Sequence, residues 1–272
     1  MHDFSGFNPT PAWEENQRDI AQRMRPQEIA DFICNEAPWA QSQHFFTTLQ
    51  REAGLVSGSR LLDAGCATGQ LGFAAAIFGG ARVTLLDYSA EALNFAKAVA
   101  QELRARGKEF EVTFVRDNLE SLAIQEQFDI VTNEGVLEHW FTFEERLRIL
   151  KEMIKVTKPG GIIIIWVPNN HNPLYRRWIR THTEVPERAF SIDELKSLFT
   201  IAGLEEVTVF PVRAYKSFVH YTFLSRIKWL GGIFWLLERI IPRWMFKGYL
   251  LQFGYQLVAV GRKPLRQDFE KR

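Results

Sequence analysis

Short apolar runs alternate with longer segments of helical spacing from residue 60 onward. Arg60–Ala64, Arg82–Asp87, Phe110–Arg116 and Phe128–Thr132 read as strands. Ile162–Val167 is the unbroken apolar run that a central parallel strand needs. Between them Gln70–Phe78, a segment from Ser89 to about Arg106, and Phe143–Thr157 read as helices, with Ser89 placed as an N-cap. Lys158-Pro159-Gly160-Gly161 reads as a turn that closes the third of these. Ser191–Ala202 predicts another helix, with Gly203 as its C-cap. Val207–Val212 and Gln256–Gly261 predict two last strands. Alternation of this kind implies right-handed crossovers and a doubly wound α/β sheet.

Two parts fall outside the rhythm. Residues 1–57 are expected to form an N-terminal helical cap, with helices around Gln27–Asn35 and Pro38–Ala53, ahead of a main domain over 58–272. Residues 213–249 form an apolar, basic insertion before the last strand. It holds Trp229, Trp235 and Trp244, seven Lys or Arg, and Glu238 as its one acid. Its longest uncharged stretch, Trp229–Leu237, is far short of the roughly 20 residues that span a bilayer.

Composition narrows the function classes. The chain has 272 residues, 46% of them hydrophobic, enough for one α/β domain with a full core. A net charge of +1 argues against a nucleic-acid partner. Cys34 and Cys66 have no metal-type spacing and suggest no disulfide framework, so a reducing cytoplasm is expected. The first residues carry no basic-then-apolar pattern of a secretory signal.

The first strand–loop–helix carries the most specific chemistry: Asp63-Ala64-Gly65-Cys66-Ala67-Thr68-Gly69. Gly65 and Gly69 permit a tight turn and close approach of backbone to a ligand. The dinucleotide pattern G-x-G-x-x-G fails, because Ala67 and Gln70 occupy its second and third glycine positions. No phosphate-binding Lys-Ser/Thr follows either. A carboxylate at Asp63 repels a pyrophosphate but suits a cationic ligand. Asp87 ends the second strand, 24 residues after Asp63, where an acid can accept from ribose hydroxyls or cap the next helix. Asp117-Asn118-Leu119 ends the third strand, where a carboxylate can accept from an adenine amino group; Asp-Asn is also common turn chemistry. Three acidic strand ends in register are harder to explain by turns.

In order and spacing these residues resemble the motifs of class I S-adenosylmethionine-dependent methyltransferases. Leu61–Gly69 is similar to the first motif, Leu86-Asp87-Tyr88-Ser89 to the second, and Asp117-Asn118 to the adenine-contacting position. Phe128–His139 is similar to the fourth-strand motif, and Lys158–Gly161 to the turn before strand five. The resemblance covers roughly 58–212 and resumes at Tyr255–Lys263. It implies a Rossmann-like sheet of seven strands with an antiparallel last strand. It also implies a S-adenosylmethionine site lined by Asp63, Gly65, Cys66, Ala67, Gly69, Asp87, Tyr88, Asp117, Asn118, Leu119, Asn133 and Glu134. Ala67 stands where many members have glycine.

Methyl transfer needs positioning and exclusion of water, and a base only where the acceptor must lose a proton. Glu134, Glu138 and His139 follow strand four. His139 and Glu134 are the catalytic candidates, against a more heavily weighted reading of His139 as a structural residue bonded to backbone. His171, Tyr175 and His182, after strand five, are further candidates. Some quinone-pathway O-methyltransferases have E-x-x-E-H here; this chain has three residues between Glu134 and Glu138, so no metal is expected. Asn-Pro-Pro-Tyr/Phe motifs are absent, which favours a small molecule as acceptor; the aromatic 213–249 segment points to an apolar one, lipid- or quinone-like, with O-methylation first. The rivals are a protein or RNA methyltransferase and a non-catalytic cofactor-binding or scaffold protein. The insertion is expected to form a lid, a homodimer interface, or a surface lying peripherally on the inner face of a membrane.

Overall fold

The computed structural model describes residues 10–182, 185–214, 216–217, 233, 236–237 and 243–265. Seven strands form one sheet: β1 (Arg60–Ala64), β2 (Arg82–Asp87), β3 (Glu111–Arg116), β4 (Phe128–Glu134), β5 (Thr157–Pro168), β6 (Glu205–Val212) and β7 (Gln256–Arg262). Their spatial order is β3-β2-β1-β4-β5-β7-β6, with β7 antiparallel to both neighbours and β1 to β5 parallel. The sheet is therefore the expected Rossmann-like one with an antiparallel last strand. The order reverses between β1 and β2 on one side and β4 on the other, which puts a ligand crevice at the carboxyl ends of those strands.

Both faces of the sheet are buried, and this explains the unbroken apolar runs. Alternate residues of each strand enter opposite cores. Leu61, Ile162, Ile164 and Trp166 join one; Leu62, Ile163, Ile165 and Val167 join the other. The helices α1 (Thr10–Arg23), α2 (Pro26–Ile33), α3 (Gln41–Glu52), α4 (Gln70–Gly79) and α5 (Ala90–Ala105) come first, then α6 (Phe143–Val156), α7 (Pro173–His182), α8 (Ile192–Ile201) and α9 (Arg243–Phe253). Side-chain caps fix three starts. Ser89 accepts from the Ala92 amide at 3.2 Å, Ser191 from that of Glu194 at 3.1 Å, and Thr142 and Glu145 form a reciprocal box.

The structure departs from the sequence expectations in four places. α1 and α7 were not anticipated. Lys158–Gly161 is not a free turn: it lies within β5 as a bulge, where the β4 register jumps from Phe128↔Thr157 to Ile130↔Ile162. The end of β7 stitches it down, through Gly160 N to Lys263 O and Lys263 N to Gly161 O, both 2.9 Å. Helix α9 takes up the end of the segment read as an insertion. The N-terminal helices pack on the sheet, with Ile29, Ile33, Phe45 and Leu49 fully buried in the same core as Leu61 and Phe73.

The stems of the insertion are tied to the loop after β5. Asn172 Nδ2 donates to Ser217 Oγ at 2.7 Å and to Gly254 O at 3.2 Å; Asn169 Nδ2 donates to Leu251 O and Gly254 O at 3.1 Å. Most of the insertion, including Trp229 and Trp235, lies outside the described residues.

Candidate functional site

The loop after β1 is held by strand β2. The amides of Gly65 and Cys66 both donate to Leu86 O, at 2.8 and 3.0 Å. Gly65 and Gly69 both have φ 80, and Ala67 has φ 44. A Cβ on Gly65 would meet Val136 at 2.6 Å, and one on Gly69 would meet Phe73 at 2.7 Å. Ala67 accepts the left-handed conformation at some strain, the physical reason for glycine at this place.

Two lobes open on either side of this loop. The larger in open space, about 660 Å³ counted out into the solvent, runs from Gly65 and Glu134 past Asp87 to Asp117–Glu120 and is walled by Trp13, Gln17 and Trp140. The smaller, about 560 Å³, is lined by Gln41, Asp63, Cys66, Thr68, Gln70 and Glu134, among others. Gly65, Ala67 and Glu134 belong to both, so the lobes make one groove across the carboxyl ends of β1, β2 and β4.

Asp63 is buried at the end of β1. Its Oδ2 accepts from Gly72 N at 3.0 Å, and Thr132 Oγ1 stands 3.3 Å from its Oδ1. Burial, with a smaller push from Glu134, raises its pKa to about 7 against the pull of the Gly72 amide. Asp87 is also buried and accepts from Ala67 N at 3.0 Å and Ser89 N at 2.9 Å; burial raises its pKa and the two amides oppose. Tyr88, partly buried beside it, has its phenol pushed upward by burial and by Asp87. Asp117 organises its own turn, accepting from the amides of Asn118, Ala123 and Ile124 at 2.8–3.0 Å. Its carboxylate therefore serves the loop that presents Asn118 and Leu119 to the larger lobe.

Glu134 ends β4 and faces both lobes. It accepts from Gln256 Nε2 at 3.1 Å and Gln41 Nε2 at 3.3 Å, and burial raises its pKa. Asn133 turns away, donating to Ala64 O at 2.6 Å. His139 lines neither lobe. It packs edge-on to Trp13 at 4.7 Å, its Nδ1 lies 2.8 Å from Pro186 O, and burial lowers its pKa to about 4. Glu138, His139 and Glu187 offer ligand atoms within 4.8 Å of one another. However, His139 Nδ1 must carry the proton shared with Pro186 O, and Tyr175 Oη donates to Glu187 at 2.6 Å. His171 is exposed, and the His182 side chain lies outside the described residues.

Sequence reasoning missed Trp13 and Gln17 of α1, Gln41 of α3, Trp140, Lys216 and Gln256. None was marked by a motif residue, and only the chain's folding brings the first four to the groove and sets Lys216 and Gln256 against the side chains of Gln41 and Glu134 that line it.

The lining has a clear charge. Asp63, Asp87, Asp117, Glu120 and Glu134 contribute carboxylates, and no Lys or Arg lines either lobe among the described residues. That fits a cationic nucleoside without phosphate, and S-adenosylmethionine, with its ammonium and sulfonium, is such a ligand.

Comparison with known proteins agrees. A family model described as "Methyltransferase domain" matches residues 55–203. A probable tRNA methyltransferase 9B of Bos taurus is 30% identical over 152 residues, 54% of this chain and 30% of that protein. The ubiquinone biosynthesis O-methyltransferase of Ruegeria pomeroyi is 32% identical over 162 residues, 56% of this chain and 62% of that protein. The chain thus spans less than two thirds of these relatives. In fold it is similar to phosphoethanolamine N-methyltransferase 2 of Haemonchus contortus, solved with S-adenosylmethionine (TM-score 0.60, 18% identity, 91% of this chain and 60% of that one). Motif order, sheet topology and the family match together place the chain in the class I S-adenosylmethionine-dependent methyltransferase family.

Proposed function

We propose that this protein transfers a methyl group from S-adenosylmethionine to a small apolar acceptor, with a hydroxyl oxygen as the favoured target. The observation that carries the donor assignment is the two-lobed groove lined by carboxylates and by no described cation. When bound, the cofactor supplies a methyl group on a sulfonium, already activated for displacement. Asp63 then serves the ammonium end, Asp87 the ribose, and the Asp117–Leu119 turn the adenine, with Tyr88 and Trp13 walling the adenosine. Trp13, Gln17 and Trp140 exclude water from the larger lobe.

Glu134, rather than His139, is the group placed to take a proton from an acceptor. It faces both lobes, and its raised pKa brings it toward the range of a useful base. His139 is the positioning residue that ties the turn after β4 to Pro186 and Trp13. The apolar, basic 213–249 segment is the natural source of an apolar acceptor wall, and its basic residues suit contact with an anionic membrane surface. No described helix is long and apolar enough to cross a membrane.

The likeness to a probable tRNA methyltransferase raises an RNA acceptor as the second reading. Titration calorimetry with S-adenosylhomocysteine tests the donor: micromolar binding, weakened in Asp87→Ala, is expected, and its absence at millimolar ligand refutes the assignment. Radiolabel transfer to phenolic lipids, and not to tRNA, is the expected acceptor result.

A further inference from the structure

A line of polar side chains joins four distant parts of the chain, and two of its members, Gln41 and Glu134, line the smaller lobe. Lys216 Nζ donates to Gln41 Oε1 at 2.6 Å; Gln41 Nε2 and Gln256 Nε2 both donate to Glu134 Oε1. Lys216 also stands 4.2 Å above the Tyr255 ring. The line therefore links α3, the end of β4, the start of β7 and the first stem of the insertion. Basic groups converge on it: Arg213 and Lys216 bear on each other and, with Arg51, hold the His44 imidazole neutral, burial being the larger cause. Burial, with Arg213, pulls the Lys216 ammonium well below the ordinary lysine range, and Glu134, the carboxylate that faces it, opposes that fall and favours the charged form.

An amino-acid ligand brings an ammonium and a carboxylate on one carbon. Asp63 and Glu134 attract the first and repel the second. The carboxylate thus needs a donor close to these acids but backed by positive charge. Gln41 meets both demands. Its Oε1 is committed to Lys216, which fixes the amide orientation and leaves the NH₂ facing the lobe. One N–H makes the long 3.3 Å contact to Glu134, and the other remains for a ligand. Thr68 and Gln70, the other polar side chains of this lobe outside the carboxylates, have no cation bonded to them among the described residues.

We propose that Gln41, held from behind by Lys216, receives the α-carboxylate of the cofactor, so that the stem of the C-terminal insertion takes part in cofactor binding. This rests on the donor assignment above. Lys216 acts through Gln41 and is a positioning residue. Because Ser217, the next residue, is bonded to Asn172 and to Phe253 O, the stem is braced where Lys216 leaves it. Cofactor binding is thereby linked to the stem residues Lys216 and Ser217.

The test is calorimetry on the full chain with S-adenosylhomocysteine and its decarboxylated analogue. The wild-type protein should bind the analogue about tenfold or more weakly, the scale of a charge-assisted hydrogen bond. In Lys216→Met the two ligands should come within about threefold, and Lys216→Arg should restore most of the preference. Gln41→Leu, at the partly buried start of α3, should erase the preference in the same way and covers the case in which Lys216→Met does not fold. A full wild-type preference in folded Lys216→Met or Gln41→Leu overturns the inference, whatever the loss in overall affinity. If the wild-type protein binds neither ligand, the donor assignment itself falls, and the inference with it.

Discussion

Asp63→Asn should make the ligand-free protein more stable while weakening its hold on the cofactor. Burial moves the Asp63 carboxyl from 3.8 to about 7. Below 3.8 the folded and unfolded chains are both protonated. Between 3.8 and about 7 the folded chain keeps a proton that the unfolded chain has released. Stability therefore falls as pH rises through that window, and above it the full deficit persists. Each tenfold step is worth about 1.4 kcal/mol, so the deficit at pH 8 is about 4 kcal/mol. Asparagine removes the charge and keeps the local bonds. Its Oδ1 can accept from Gly72 N, and its Nδ2 can donate to Thr132 Oγ1, which itself donates to Leu62 O at 3.0 Å. The variant should gain about 2–4 kcal/mol at pH 8, and the gap should narrow by about 3 kcal/mol at pH 5. Urea denaturation of the ligand-free proteins at the two pH values measures both quantities. Calorimetry at pH 6 in buffers of different ionisation enthalpy should show S-adenosylhomocysteine displacing more protons from the wild-type protein than from the variant, by most of one proton, Asp87 and Glu134 being common to both. A variant no more stable than wild type at pH 8, with no narrowing toward pH 5, would refute the electrostatic reading of Asp63.

The loop after β1 offers a matched pair of tests. Gly65→Ala must place a Cβ 2.6 Å from Val136 at φ 80, and should lose cofactor binding together with about 2 kcal/mol of stability. Ala67→Gly relieves the residue at φ 44 and should gain up to about 1 kcal/mol with binding retained, read by thermal melting and calorimetry. Arg146 is fully buried, paired with Glu194 at 2.7 Å, bonded to the carbonyls of Trp140 and Arg188, and stacked on Phe190. Arg146→Met strands these partners and should cost about 3–5 kcal/mol in urea denaturation. Trp13→Ala removes a wall of the larger lobe and the edge contact to His139, and stopped-flow mixing should show faster release of S-adenosylhomocysteine with little change in unfolding free energy.

The sheet was legible because both its faces are buried: Ile162–Val167 has no polar side to hide its strand character. The acidic strand ends were legible because a strand ends where its ligand edge begins. Helix α1 was not, because its sequence is polar and its inward face amounts chiefly to Trp13 and Gln17, a pattern without periodic apolar residues. Helix α7 was hidden by Arg176, Arg177 and Arg180 among its apolar positions. The turn at Lys158–Gly161 was read correctly in chemistry and wrongly in context, since pairing with the end of β7 is a long-range event. Position marked Asp117 and left its carboxylate open to adenine or to turn chemistry; in the fold it accepts from three amides of its own loop. The line Gln41–Glu134–Gln256–Lys216 spans most of the chain, and no local signal ties those four positions together.

The site's chemistry and its instability have one source. Five carboxylates line a groove that holds no described cation, Asp63 is held near neutrality, and Ala67 sits in a strained conformation. Each is unfavourable in the empty protein, and the carboxylates become favourable when a cation arrives. A ligand that supplies positive charge thus recovers part of the deficit at Asp63, and its binding free energy appears as added stability. A phosphate-bearing nucleotide would deepen the deficit instead. Discrimination between the two ligand classes therefore comes from charge stored in the fold, and the glycine loop only makes room for it. The same reasoning explains why the ligand's own carboxylate needs a special receptor. It is the one negative group that must enter this groove, and the receptor proposed for it is Gln41, whose amide Lys216 holds in place.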